Sequence, residues 1–210
     1  MKRVAILISG RGSNMKAILD AGLAARFFVL TNNPAASGLE TAKQCGAQTA
    51  VIDHRQFPDR AGFDTALARQ IQDFAPDLVV LAGFMRILTD TFVHQFSGRI
   101  INIHPSLLPA FPGTDTHRRA LAEGVKLHGC TVHFVTSDLD RGPVIAQAAV
   151  PVLADDDEHA LAARVLEQEH RLFPAAVGWF LDGRLRLDGR RVTLNAIGAP
   201  PAPLLYPEPR

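Results

Sequence analysis

Two side chains, Asn102 and His104, stand one residue apart in the segment RIINIHPSLLPAFPG, residues 99–113. Ile100, Ile101 and Ile103 around them are β-branched, and Gly98 and Pro105 bound the run, so it reads as a strand. Side chains on a strand alternate between faces. Ile101 and Ile103 therefore share one face, while Asn102 and His104 share the other, with Cα atoms about 6.5–7 Å apart. Pro105 cannot donate to a ladder, so the strand stops where His104 emerges. An amide donor and an imidazole side by side at a strand end could act together on one small polar group; the alternative is a polar strand end facing water.

Three other groups could do chemistry. The turn Ser9-Gly10-Arg11-Gly12-Ser13-Asn14 joins an apolar run to a helical pattern, and free N–H groups at a helix start favour anions. A dinucleotide fingerprint fails because Met15 stands at its third glycine position, and no Gly-Lys-Ser/Thr follows for a Walker loop. A single phosphate monoester gripped by Gly12, Ser13 and Asn14 fits; an ordinary turn capped by Ser13 is the alternative. Asp138, Asp140 and Arg141 occupy a later loop, where acids usually face water. If Asp140 reaches His104, its carboxylate favours the charged imidazole. His128, Cys130 and His133 invite a metal reading, but alternation puts His133 on the face opposite the other two.

Strands and helices in alternation must position these groups. Val4–Ile8, Phe27–Leu30, Thr49–Ile52 and Leu78–Leu81 read as strands, the first and last continuously apolar, as in a parallel sheet buried on both faces. Between them, Met15–Ala25, Leu39–Cys45 and Arg60–Phe74 read as helices, the last with Phe63, Leu67, Ile71 and Phe74 at helical spacing and Pro76 beyond its end. Asp90–Phe96 reads as a short helix before the Asn102 strand. The expected fold is α/β, a mainly parallel twisted sheet flanked by helices, Rossmann-like, with ligands beyond the carboxyl ends of the strands. Later, a helix over Thr116–Glu123 precedes strands Cys130–Val135 and Val144–Val150, whose short connection suits an antiparallel pair. A long helix over Glu158–Phe180 should be kinked or interrupted at Pro174. LRLDGRRVTL reads as a hairpin turning at Asp188-Gly189. One domain over residues 1–197 and a proline-rich tail over 198–210 are expected.

Bulk properties narrow the classes. The 210 residues suffice for one large domain, and 47% hydrophobic against 20% charged residues indicates a globular chain. A net charge of +1 provides no basic field for nucleic acid. Two cysteines far apart, Cys45 and Cys130, suggest a reducing compartment without a disulfide framework. The apolar run after MKR is too short for a signal peptide, and none suits a membrane span. A soluble cytoplasmic protein acting on small molecules is expected, with no nucleic-acid or membrane partner, as a monomer or homodimer.

The segments LISGRGSN, LAGFMRIL, INIHPSLLPAFPG, HGCTVHFV, LDRGPVIAQAAVPV and EQEHRLFP occur in this order from residue 7 to residue 174. Together they resemble the phosphoribosylglycinamide formyltransferase family, folate-dependent enzymes of purine (IMP) synthesis. Methionyl-tRNA formyltransferases and formyltetrahydrofolate deformylases look similar over the same core, but ISGRGSN and the compact length favour the first family. The resemblance implies the formyltransferase fold and formyl transfer from 10-formyltetrahydrofolate to the amine of 5-phosphoribosylglycinamide, with no metal. It implies Asn102, His104 and Asp140 as the catalytic trio. It places Gly12, Ser13, Asn14 and Glu169 at the ribonucleotide, the first three on its phosphate and Glu169 on its sugar. It also places Arg60, Met85, Arg86, Ile87, Leu88 and Asn102 at the folate, with Thr136, Ser137, Asp138, Leu139 and Asp140 wrapping the pteridine. Leu166 departs from the pattern, standing where relatives often carry a polar contact. If the phosphate assignment holds, Ser13→Asp weakens ribonucleotide binding and spares folate binding, because a carboxylate there repels the phosphate. Calorimetry with each ligand checks this, and unchanged ribonucleotide affinity would remove Ser13 from that site.

Overall fold

Continuously apolar strands that alternate with amphipathic helices must be covered on both faces, and the chain folds accordingly. The structure, a computed structural model, describes residues 1–195; the proline-rich tail expected over 198–210 lies outside the described residues. In chain order the elements are β1 (Lys2–Ile8), α1 (Ser13–Asp20), β2 (Ala25–Thr31), α2 (Gly38–Gln44), β3 (Gln48–Val51), α3 (Arg60–Phe74), β4 (Leu78–Leu81), α4 (Asp90–Gln95) and β5 (Ile100–His104). They continue with α5 (Thr116–Ala122), β6 (Leu127–Phe134), β7 (Val144–Pro151), α6 (Glu158–Leu181), β8 (Leu185–Asp188) and β9 (Arg191–Leu194). Seven strands form one sheet in the order β3-β2-β1-β4-β5-β6-β7. The first five in chain order pair in parallel, and β6 and β7 add antiparallel, as the short late connections predict.

Alternation divides the core between two faces. Val4, Ile6, Val80, Ile101, Ile103 and Val132 point to one side, where Met15 and Ile18 of α1 and Val165 and Phe173 of α6 cover them. Ala5, Leu7, Val79, Leu81 and Ile100 point to the other, under Phe63, Leu67 and Ile71 of α3 and Phe92 of α4. Asn102 and His104 follow the parity of Ile100, so they leave the sheet on the α3–α4 side.

Helices α1 and α6 and the last hairpin differ from the sequence expectation. Helix α1 starts at Ser13 and stops at Asp20, because Gly22 takes a left-handed conformation (φ +66°) and Ala25 already pairs with Lys2 in the sheet. Helix α6 runs through Pro174 without interruption. A proline there removes the ladder bond to the His170 carbonyl. Yet the buried row of Val165, Glu169, Phe173, Ala176 and Val177 continues on both sides of it and keeps the helix packed. In the last hairpin Asp188 pairs with Arg191, so the two-residue loop is Gly189-Arg190, with Gly189 at φ +56°.

The glycine turn after β1 rests on a second glycine. Gly38, first residue of α2, donates its N–H to the Gly10 carbonyl at 3.1 Å. A Cβ at Gly38 would lie 2.7 Å from Ile8 Cδ1, 2.9 Å from the Gly10 oxygen and 3.0 Å from the Arg11 oxygen. Backbone cannot yield as a flexible side chain does, so Gly38→Ala is expected to displace the turn and cost about 1–3 kcal/mol of stability. Denaturant melts check the figure; wild-type stability would mean the turn relocates freely.

Candidate active site

Beyond the carboxyl ends of β4 and β5 lies a cavity of about 530 Å³. Three stretches that are far apart in sequence meet around it. The loop after β4 brings Met85, Arg86, Ile87 and Leu88; β5 brings Asn102 and His104; the β6–β7 loop brings Thr136, Ser137, Asp138, Leu139 and Asp140. Met85, Ile87 and Leu139 expose large apolar side chains at this site, whereas Leu88 is buried. A flat apolar ring with polar edges suits such walls. Arg86 stacks its guanidinium over the Phe63 ring, 4.8 Å from the centroid, which turns the cation toward the α3 helix.

His104 is held at both ring nitrogens. Its Nε2 lies 3.0 Å from the Phe111 carbonyl oxygen, and its Nδ1 lies 3.5 Å from Asp140 Oδ2. A carbonyl only accepts, so the Phe111 contact calls for a hydrogen on Nε2, while the Asp140 carboxylate faces the Nδ1 edge of the ring. The same Asp140 oxygen accepts the Gly113 N–H at 2.8 Å. Both side chains are 7% exposed, which keeps water from screening the pair. Asn102 is half-buried beside them, and its Nδ2 lies 3.2 Å from His133 Nε2.

The Gly12 turn and Glu169 are brought together apart from this cavity's lining. Gly12 sits at the N-cap of α1 in a left-handed conformation (φ +71°), and no side chain caps the helix. Ser13 is the first helical residue, not the cap that one sequence reading makes it. The first-turn N–H groups are thus without a side-chain cap. Asn14 Nδ2 donates to Glu169 Oε2 at 2.6 Å, joining α1 to α6. Burial raises the Glu169 pKa, opposed by the Asn14 hydrogen bond. Arg60 is exposed at the first position of α3 and does not line the cavity.

Sequence reading misses four contributors. Phe111 acts through its backbone oxygen and Gly113 through its N–H, which side-chain patterns cannot show. Thr131 supports the loop after β5: its Oγ1 donates to the Ser106 carbonyl at 2.6 Å and accepts the Leu108 N–H at 3.0 Å. His133 pairs across the sheet with Asn102, a register that only the folded chain reveals. His128, on the opposite face, meets His117 (Nε2 to Nδ1, 3.2 Å), and burial with that neighbour lowers its pKa to about 4. Among the described residues no three His, Cys, Asp or Glu side chains are grouped to hold a metal ion.

This arrangement of sheet, glycine turn and cavity recurs in a known class. Residues 2–177 match the formyl transferase family model, and the chain belongs to that family. It is 47% identical over 203 residues to phosphoribosylglycinamide formyltransferase of Escherichia coli, covering 94% of this chain and 96% of that protein. It is 46% identical over 190 residues to the trifunctional purine biosynthetic protein adenosine-3 of Bos taurus, covering 88% of this chain and 19% of that longer protein. The solved glycinamide ribonucleotide transformylase 1 of Symbiobacterium toebii superposes with a TM-score of 0.90 at 47% identity, covering 92% of this chain and 94% of that one.

The buried Glu169 has a consequence for stability. With its folded pKa above the ordinary 4.5, the folded chain keeps a proton that the unfolded chain has released. Stability therefore declines as pH rises from about 4.5 through the raised folded value. Glu169→Gln keeps an acceptor for Asn14 and removes the titration. The variant is expected to lose this decline, measured as midpoint of urea unfolding between pH 4.5 and 8; identical slopes in both proteins would contradict the buried carboxyl.

Proposed function

We propose that this chain transfers the formyl group of 10-formyltetrahydrofolate to the amine of 5-phosphoribosylglycinamide, in the synthesis of IMP, through a tetrahedral intermediate. The observation that carries the reading is the placing of Asn102 and the His104–Asp140 pair at one cavity, which the Met85–Leu88 segment and the Thr136–Asp140 loop also line. Those segments take the folate. The uncapped start of α1, with Gly12, Ser13 and Asn14, takes the phosphate, and Glu169 takes the ribose hydroxyls. Arg60, exposed at the start of α3 and outside the cavity lining, acts on the folate through its charge alone.

The chemistry follows from the partners. As the amine attacks the formyl carbon, negative charge grows on the formyl oxygen. The Asn102 amide donates to that oxygen, and the His104 imidazolium donates to it once its Nε2–H turns from the Phe111 carbonyl, each placed donor being worth about 2.7–4 kcal/mol. Asp140 holds the imidazolium in place and stabilises its charge. The amine then gives up a proton and the folate nitrogen takes one up as the C–N bond to it breaks. His104, or a water held by Asp140, carries that proton. The side chains supply hydrogen bonds and protons, and no covalent enzyme intermediate is needed.

No helix among the described residues is long and apolar enough to cross a membrane. We infer a cytoplasmic enzyme, monomeric or homodimeric, which sedimentation velocity distinguishes. For the activity, absorbance at the folate chromophore with and without 5-phosphoribosylglycinamide is the direct test. Formate release without the acceptor would make the chain a hydrolase instead. Asn102→Ala and His104→Ala should both fold and each lose at least about 10²-fold in kcat. Near-normal turnover in either variant would take that residue out of the mechanism.

A further inference from the structure

Asn102 and His133 are register partners on antiparallel β5 and β6, so their side chains leave the sheet on the same face. The β6–β7 register shifts between Val132 and His133, an irregularity of the kind that re-aims a side chain. His133 is buried, with Nδ1 2.8 Å from the Phe134 carbonyl oxygen and Nε2 3.2 Å from Asn102 Nδ2. A carbonyl only accepts, so Nδ1 carries the hydrogen, and in a neutral ring Nε2 is then a bare acceptor. Only the nitrogen end of the Asn102 amide can face a bare acceptor.

We propose that His133 is a positioning residue: held as the Nδ1–H tautomer by Phe134, it fixes the Asn102 amide nitrogen side toward itself and leaves the second amide N–H for the formyl oxygen. The role of Asn102 rests on the formyl-transfer reading above; the tautomer and the amide orientation do not. The surroundings suit a neutral ring. Burial disfavours the charged form most strongly, and His104 also opposes it. The Phe134 carbonyl and Asp140, whose Oδ1 is 4.0 Å from Nε2, pull the other way, and the net direction is downward from the ordinary histidine value. Protonation would place a hydrogen on Nε2. The ring would then demand Asn102 Oδ1, turn the amide over and withdraw the donor.

The experiment begins with the wild-type protein. Nitrogen-15 NMR of labelled histidine at pH 7.5 should show His133 protonated at Nδ1 and bare at Nε2; an Nε2–H tautomer or an imidazolium overturns the proposal without reference to activity. His133→Phe removes the acceptor and should lower kcat about tenfold or more while the folate KM stays within about twofold. His133→Gln offers a non-titrating acceptor and should restore most of the kcat lost in the Phe variant. In an Asn102→Ala background His133→Phe should cost nothing further, because it acts through Asn102. Equal losses in the Phe and Gln variants, or the same Phe loss in both backgrounds, would overturn it. If His133→Phe fails to fold, the NMR tautomer and the Gln variant decide. Absence of formyl transfer in the wild type would sink the reading of function and leave the tautomer test standing.

Discussion

The Asp140 carboxylate is the contact on which the site depends. Its Oδ2 accepts the Gly113 N–H at 2.8 Å and lies 3.5 Å from His104 Nδ1, so one oxygen joins the β6–β7 loop to the loop after β5 and to the strand itself. The segment from Phe111 to Gly113 is thereby tied at both ends, by His104 Nε2 on the Phe111 carbonyl and by Asp140 on the Gly113 N–H. A charge-assisted bond in a water-poor setting is stronger than its exposed counterpart, so the Gly113 N–H holds the carboxylate firmly against the Nδ1 edge of the imidazole. Without the carboxylate, the ring would keep one anchor and the two loops would lose their common fastening.

That fastening works because the sheet delivers its partners from opposite directions. The parallel strands end together and present loops at one edge. The antiparallel β6 and β7 run beneath the loop after β5 and support it along their length. Thr131 on β6 holds Ser106 and Leu108, and Gln147 on β7 donates to the Leu108 carbonyl at 2.8 Å and to Thr131 Oγ1 at 3.0 Å. A parallel strand at this place would send its chain back only through a crossover of a dozen or more residues. The change of direction at β6 thus has a use: it brings His133 opposite Asn102 and Asp140 back to His104 within a few residues.

Much of this is legible before folding, for physical reasons that differ by residue. The bounds of α3 and β4 match the periodicity and apolar run that mark them, because Pro76 and buried β-branched residues leave little choice. The parity of Asn102 and His104 follows from strand geometry alone, and the sheet places both on the α3–α4 side. Asp140 is less accessible to such reasoning, since its approach to His104 depends on how the late strands pair. Phe111 and Gly113 contribute backbone groups that any residue type would carry. His133 needs the β5–β6 register, a long-range property that periodicity does not contain. Arg60 shows the converse, a family position whose side chain stands exposed and outside the cavity lining. Pro174 misleads because a local rule, the missing N–H, is outweighed by packing along the whole of α6.

The loops that carry the site also store strain. Phe111 (φ +51°), Asp115 (φ +56°) and Asp140 (φ +53°) are non-glycine residues in the left-handed region. Such conformations cost on the order of 1–3 kcal/mol, and aspartate tolerates them better than phenylalanine. Glycine at 111 would adopt the angle freely but would leave the segment with more conformations to lose. The phenyl ring instead packs edge-on to His128, centroids 5.8 Å apart, under the Arg119 guanidinium at 5.6 Å. Arg119 also donates to the Pro112 carbonyl at 2.5 Å and the Thr114 carbonyl at 3.3 Å. These contacts offset the backbone cost and hold the Phe111 carbonyl on the imidazole. The His104 ring is therefore flanked by a strained peptide on one edge and a carboxylate from a strained residue on the other. Rigidity at this site comes from side chains that clamp loops, and the sheet below supplies the anchors.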